Sequence, residues 1–211
     1  EQRADLLSFV KDEGKGFVAA QSAITAFFSW PEFGEMIGGR FDQHPWGITD
    51  ASVVVEAPQF PAMRSFHAVS VLHDEHYQLK DFSRDKVRVL ARLDPSQLDL
   101  RRPLVHRTDG DFPVAWAKTY GKGRVFYSTL GHAAEAWDNP VVNQMYFEAI
   151  KWSLGLVDGD ATPPPIVSFF GGGTDYPQWY REHGGAVLAT TIDKYCYISV
   201  RELPPFFQHR F

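Results

Sequence analysis

The spacing of apolar positions separates helices from strands along this chain. Leu6, Leu7, Phe9 and Val10 form a stripe among Arg3, Asp5, Lys11, Asp12 and Glu13, so residues 1–13 predict an amphipathic helix that Gly14-Lys15-Gly16 ends. Phe17-Val18-Ala19-Ala20 predicts a short strand buried on both faces, as in a parallel sheet. Gln21-Ser22-Ala23 then turns into a short helix through Phe27 and Phe28, the position of a strand-to-helix elbow that exposes a nucleophile in some enzymes. Pro31 opens a helix over PEFGEMI, and Gly38-Gly39 stops it. Residues 40–46 (RFDQHPW) predict a loop, and Ile48 to Glu56 and Val87 to Leu93 predict strands.

The later part carries the clearest pattern. Val114, Trp116 and Lys118 alternate with Ala115, Ala117 and Thr119, and Arg124 to Leu130 is rich in branched and aromatic residues. Tyr120-Gly121-Lys122-Gly123 lies between them with glycines where a tight reversal needs positive φ, so 113–130 predicts an antiparallel hairpin. The hairpin ends at Gly131-His132, just before a helix. Open α/β sheets place ligands beyond the carboxyl ends of their strands, which makes His132 the first candidate for chemistry. Asn139-Pro140 caps a helix to about Leu154, with Val142, Met145, Tyr146, Ala149, Ile150 and Trp152 on its buried side. Asp94 to Asp111 predicts a polar, Arg-rich surface excursion.

Residues 155–165 (GLVDGDATPPP) form a Pro/Gly linker by composition, which divides the chain into domains at 1–154 and 166–211. Beyond it, Ile166 to Phe170 predicts a strand, Gly171-Gly172-Gly173 a turn, 176–183 a helix, and 187–192 and 195–200 paired strands. The chain starts at Glu1 inside a helical pattern and stops after an apolar-aromatic run, so it reads as a piece cut at both ends.

The chain has 211 residues, 44% of them hydrophobic and 15% aromatic, which suffices for one or two small domains. A net charge of -5 without a Lys/Arg stripe argues against nucleic acid as a partner. No apolar run approaches membrane-spanning length and no signal peptide is present, so neither a membrane partner nor secretion is expected. Cys196 is the single cysteine, which excludes an internal disulfide and fits a reducing, cytoplasmic setting.

Candidate chemistry concentrates in Asp42, His44, the run His73-Asp74-Glu75-His76-Tyr77, and His132. These residue types suit acid–base work or metal binding, but HDEH lacks the helical histidine pair of a zincin motif. A strand through the run would put His73 and Glu75 on one face and Asp74 and His76 on the other, so at most half of it can line one pocket. At the elbow, Gln21 is no nucleophile and Ser22 lacks flanking glycines, while Cys196 sits on a predicted strand where a packed thiol is expected. Gly171-Gly172-Gly173-Thr174-Asp175 lets backbone approach a phosphate or sugar, although it has neither a P-loop ending nor a complete dinucleotide fingerprint.

The stretches GKGFVAAQSA, WPEFGEMIGGRFDQHPW, HDEHYQ, FPVAWAKTYGKGRVFYSTLGH and AWDNP fall in the order found in the ThuA-like family, named for trehalose utilisation, which residues 1–157 resemble. The resemblance implies a flavodoxin-like α/β sandwich related to class I glutamine amidotransferases, here incomplete because the family has a further βαβ portion before the first helix. It implies a role in carbohydrate metabolism with a small-molecule sugar or sugar phosphate as partner. Apolar surface left by absent strands makes a homo-oligomer an expectation. By position, Asp42, His44, Glu75 and His132 match the family's pocket motifs. The family commonly has histidine where this chain has Gln21, and the amidotransferase cysteine is absent, which excludes a thiol glutaminase.

Residues 166–211 (IVSFFGGGTDYPQWYREHGGAVLATTIDKYCYISVRELPPFF and the final four) resemble the opening of a GHMP-superfamily sugar kinase, closest to the heptose-phosphate kinases. That resemblance implies a partial α+β kinase segment in which Gly172, Gly173, Thr174 and Asp175 shape a sugar-phosphate acceptor site. The family's ATP loop and catalytic aspartate lie further downstream, so ATP and Mg enter only if a complete kinase follows, and no cofactor is required by the residues present.

The expectation is therefore a ThuA-like carbohydrate domain fused to the start of a kinase. Glu75 and His132 would be its acid and base, Asp42 and His44 would orient substrate, and Trp46 and Trp137 would either stack on a sugar face or pack. The alternatives are a non-catalytic carbohydrate-binding or structural domain, and a truncated fusion without independent activity.

Overall fold

A computed structural model of the chain describes residues 2–159. The chain divides into two units, Glu1–Pro164 and Pro165–Phe211, and the described residues all lie in the first. The predicted elements beyond residue 165, with Gly172, Gly173, Thr174, Asp175 and Cys196, lie outside the described residues.

The first unit is mixed α/β. Helix α1 (Gln2–Lys11) leads into strand β1 (Gly16–Ala20), followed by a 3-10 turn over Gln21–Thr25, helix α2 (Pro31–Ile37) and strand β2 (Arg40–Gln43). Strands β3 (Ile48–Val55), β4 (Val69–Glu75), β5 (Gln78–Lys80) and β6 (Arg88–Leu93) come next. Strands β7 (Pro113–Tyr120) and β8 (Gly123–Ser128) form the predicted hairpin, and helices α3 (Ala134–Asp138) and α4 (Pro140–Ser153) complete the unit.

Six strands form one sheet in the order β1-β8-β7-β6-β3-β4, while β2 and β5 pair separately. β1 runs parallel to β8, with Phe17 opposite Val125, and the other pairs of the large sheet are antiparallel. Strand alternation sends β8 side chains to two cores. Val125 and Tyr127 join Val10, Phe33, Met36 and Trp116 on the face covered by α1 and α2. Phe126 joins Leu90, Val142, Met145 and Ala149 on the face covered by α4. This two-sided burial explains why the hairpin is apolar on both faces.

Helix ends follow the local chemistry. Pro31 begins α2, and Gly38 closes it in the left-handed region at φ 99°, donating its N–H to the Gly34 carbonyl. Asn139 caps α4 by accepting from the Val141 N–H at 2.9 Å.

Three expectations need correction. Residues 40–43 are not loop but strand β2, because Phe41 pairs with Leu79 and packs on the Tyr77 ring at 4.8 Å. β1 is not buried on both faces: among its residues only Ala19 is buried, since the strand has β8 as its one neighbour among the described residues. Ile150 is exposed, because the buried stripe of α4 runs Val142, Met145, Tyr146, Ala149, Trp152 and Ile150 falls about 100° off it.

A centre-versus-edge comparison checks this architecture. Val125→Asp and Phe126→Asp each place an unpaired charge in a core and should cost several kcal/mol, enough to unfold a marginal domain. Val71→Asp, on the open edge strand with 66% of its surface exposed, should shift stability by no more than about 0.5 kcal/mol. Urea denaturation reads all three, and equal tolerance at Val125 and Phe126 would mean that one face is uncovered.

Candidate functional site

The carboxyl ends of β1, β8 and β4 meet in one place. Strand β1 delivers Gln21 at its end, where the chain enters the left-handed region at φ 42°, a strained conformation for a residue with a side chain. The Tyr127 hydroxyl, buried in β8, donates to the Gln21 carbonyl at 2.7 Å and holds this elbow. Burial pushes the Tyr127 phenol well above its ordinary pKa, so it stays a donor. The predicted elbow is present, with an amide at its apex. Ser22 sits in the following turn and uses its carbonyl to accept from Thr25.

Strand β4 supplies the carboxylates. Asp74 is fully buried and accepts from three consecutive backbone N–H groups, Gly131 at 2.6 Å, His132 at 3.0 Å and Ala133 at 2.8 Å. The turn after β8 is thereby fixed, with Gly131 at φ 115°. Trp137 braces the same turn, its indole N–H donating to the Gly131 carbonyl at 2.8 Å and its ring stacking on Tyr146.

Glu75, at the end of β4, faces the side chain that the turn presents. His132 Nδ1 lies 3.2 Å from Glu75 Oε2, and Gln21 Nε2 donates to the same oxygen at 3.0 Å. His44 Nδ1 approaches the other oxygen, Oε1, at 3.8 Å. Gln21 Nε2 also donates to the Tyr77 hydroxyl and lies 3.1 Å from His132 Nδ1. Burial first, and then the Glu75 carboxylate, raise the Tyr77 phenol pKa, so the hydroxyl remains protonated. Glu75 is mostly buried while His44 and His132 are each about half-exposed, with side-chain exposures of 49% and 43%. The arrangement is a sheltered carboxylate beneath two accessible imidazoles.

Glu75, His132 and His44 therefore converge as the sequence suggested. Asp42 takes a different place. Its Oδ2 accepts from Gln78 Nε2 at 2.6 Å and faces His106 Nδ1 at 2.8 Å, while Gln78 Oε1 accepts from the His106 and Arg107 backbone N–H groups at 2.8 and 2.9 Å. The polar excursion is thus tied onto β2 and β5 rather than lying free. Of the two readings of Trp46, packing holds and substrate contact does not: it is buried, edge-on to Phe112, and donates to the Asp99 carbonyl at 3.2 Å. Sequence reasoning missed Gln78 and His106, while Tyr77 was already in the ionisable run. Gln78 and His106 act through contacts that no local pattern records.

The remaining ionisable residues of this run point elsewhere. His73 Nδ1 pairs with Asp50 at 2.7 Å, beside a cavity of about 300 Å³ lined by Leu72, Leu130, Glu135 and Asn139 that includes neither Glu75 nor His132. His76 is buried, with Nε2 3.0 Å from the Thr49 carbonyl and Nδ1 without a hydrogen-bond partner among the described residues. Among the described residues no group of three or more His, Cys, Asp or Glu side chains is placed to hold a metal ion. None of their helices is long and apolar enough to cross a membrane.

Comparison with known proteins bears on this geometry. The family model for ThuA, described as trehalose utilisation, matches residues 1–153. The chain belongs to the ThuA family. Among solved structures it is similar to a ThuA-like protein from Bacteroides uniformis, at 26% identity and a TM-score of 0.59, over 71% of this chain and 62% of that one. A ThuA-like protein from Parabacteroides merdae is 17% identical with a TM-score of 0.52, over 72% of this chain and 64% of that one. The chain thus spans less than two thirds of either relative. No curated protein sequence is detectably similar. The ThuA match ends before the linker, and the kinase resemblance of 166–211 lies outside the described residues.

The burial of His76 predicts a pH-dependent stability. Burial lowers its pKa below the ordinary 6.5, against weaker raising effects of the Thr49 carbonyl and Asp74. As pH falls through 6.5 the unfolded chain takes up its proton before the folded one, so stability falls until the folded-state pKa is passed. Urea midpoints measured from neutral to mildly acidic pH should therefore drop in the natural protein and drop less in His76→Gln. Identical slopes would mean that His76 is protonated equally well in both states.

Proposed function

We propose that this ThuA-family chain acts on a carbohydrate, with Glu75 and His132 as an acid–base pair. The observation that carries the reading is the 3.2 Å contact between His132 Nδ1 and Glu75 Oε2. A proton on Nδ1 serves the carboxylate. The Gln21 amide donates to the same carboxylate oxygen at 3.0 Å, so Glu75 is held in place to fix the ring and its tautomer.

The other ring nitrogen of His132 has no protein partner among the described residues and belongs to a half-exposed side chain. It is the atom that meets substrate, taking a proton from a sugar hydroxyl or giving one to a glycosidic or carbonyl oxygen. Glu75 orients the ring and stabilises its charged form, as the acidic member does in hydrolytic triads. His44 contacts substrate hydroxyls from the opposite side of Glu75. Asp42 acts one step removed, by positioning His106. These steps use side chains alone.

The partner is a small-molecule sugar. The resemblance of 166–211 to a GHMP kinase opening extends the reading toward sugar phosphates, with Gly172, Gly173, Thr174 and Asp175 at the acceptor site, and it rests on that resemblance alone.

One observation favours a second reading, carbohydrate binding without turnover. Gln21 occupies the apex where an elbow enzyme carries its nucleophile, and its amide donates to Glu75. Turnover of a glycoside and keto-sugar panel, with calorimetric titration of the same sugars, separates the two. Glu75→Gln and His132→Ala should each lower kcat/KM by about 100-fold or more. Binding with no turnover supports the second reading, and unchanged rates in both variants overturn the first.

A further inference from the structure

A cavity of about 240 Å³ opens beside α2, lined by Gly34, Glu35, Arg40, Asp81, Lys86 and Lys118, with Pro31 and Gly38 at its margin. Arg40 decides its chemistry. Only 5% of this residue is exposed, yet among the described residues it has no carboxylate partner. Nη1 donates to the Ala26 carbonyl at 3.1 Å and Nη2 to the Trp30 carbonyl, while the guanidinium lies over Phe28 and Phe33 at 5.8 and 6.0 Å. Carbonyls and ring faces orient a cation without neutralising it, and a charge this sheltered is costly unless an anion meets it.

The local sequence is shaped around that guanidinium. A Cβ on Gly34 would overlap Arg40 Nε, so α2 carries glycine in its interior, where it is the least favoured residue after proline. Arg40 Nε is thereby packed against Gly34, while each terminal nitrogen donates to one backbone carbonyl.

Cations outnumber anions around it. Lys118 Nζ donates to the Glu35 carbonyl at 2.6 Å, and burial lowers its pKa. Lys86 adds a second ammonium with no ion pair among the described residues. Lys80, opposite Arg40 in the β2–β5 register, places its ammonium over Phe28 at 5.5 Å. The carboxylates of Glu35 and Asp81 are the acidic groups of the lining, so cations exceed anions there.

The geometry points to a binding site for a small oxyanion, namely a phosphate group, either inorganic or carried by a sugar, held by the Arg40 guanidinium with Lys86 and Lys118. The site is distinct from the Glu75–His132 centre. Arg40 opens β2, and His44 follows four residues later, roughly 13 Å along an extended chain. The inference does not rest on the proposed acid–base reading.

Titration of the full chain with inorganic phosphate, at constant ionic strength and followed by calorimetry and by thermal melting, tests it. Saturable binding with a raised melting temperature is expected. Lys86→Met combined with Lys118→Met should weaken it at least tenfold while leaving the melting temperature without phosphate unchanged. A parallel titration with glucose 6-phosphate distinguishes the sources: equal affinity assigns the site to the phosphate group alone, and tighter binding assigns it to a sugar phosphate. No saturable binding of either at about 10 mM, or undiminished binding by the double variant, overturns the proposal.

Discussion

Asp74 fixes the geometry on which the rest of the site depends. It is fully buried one residue before the end of the sheet's edge strand, and its two oxygens accept the N–H groups of Gly131, His132 and Ala133. Three donors on one carboxylate are enough to keep a charge inside a protein, and charge-assisted bonds of this kind are among the stronger ones available. The consequence is positional. The turn after β8 is tied to β4, so the histidine at its centre must present its ring to the next carboxylate along that strand, Glu75.

The elbow approaches from the other side under a similar constraint. Gln21 sits in a conformation that costs a side-chain-bearing residue of order 1–3 kcal/mol. The buried Tyr127 hydroxyl offsets part of that by holding the Gln21 carbonyl. The amide thereby reaches Glu75, Tyr77 and His132 together. Two strand ends and one turn, each pinned by a buried polar contact, bring a carboxylate under two half-exposed imidazoles. The ThuA match over residues 1–153 places this constellation in a family described by trehalose utilisation, which is where the carbohydrate reading starts.

Much of this was legible in the sequence because local chemistry dictated it. Alternation of apolar residues on both sides of Tyr120-Gly121-Lys122-Gly123 identified β7 and β8, and proline and glycine marked the ends of α2. Period-two reasoning through His73-Asp74-Glu75-His76 sorted the run well: Asp74 and His76 are buried, and His73 is exposed with Asp50. It failed only at Glu75, which closes the strand and turns to His132 instead of following His73. Residues 40–43 were misread because a four-residue strand has too few positions to show a period, and its partner β5 lies about 40 residues away by register of Arg40 with Lys80. The two options left open for Trp46 could not be separated by sequence, because Phe112 and the Asp99 carbonyl, which pack it, lie more than 50 residues away. Arg40 was passed over as one more polar residue, since only the fold shows Gly34 making room for it.

Amide hydrogen exchange at Gly131, His132 and Ala133 tests the central claim most directly. These N–H groups lie in a turn between strand and helix and have no backbone carbonyl partner among the described residues, so their protection must come from the Asp74 carboxylate. Slow exchange is expected at all three, comparable to that of the neighbouring strand. Exchange at the rate of a free loop would mean that Asp74 does not hold the turn, and His132 would then have no fixed relation to Glu75.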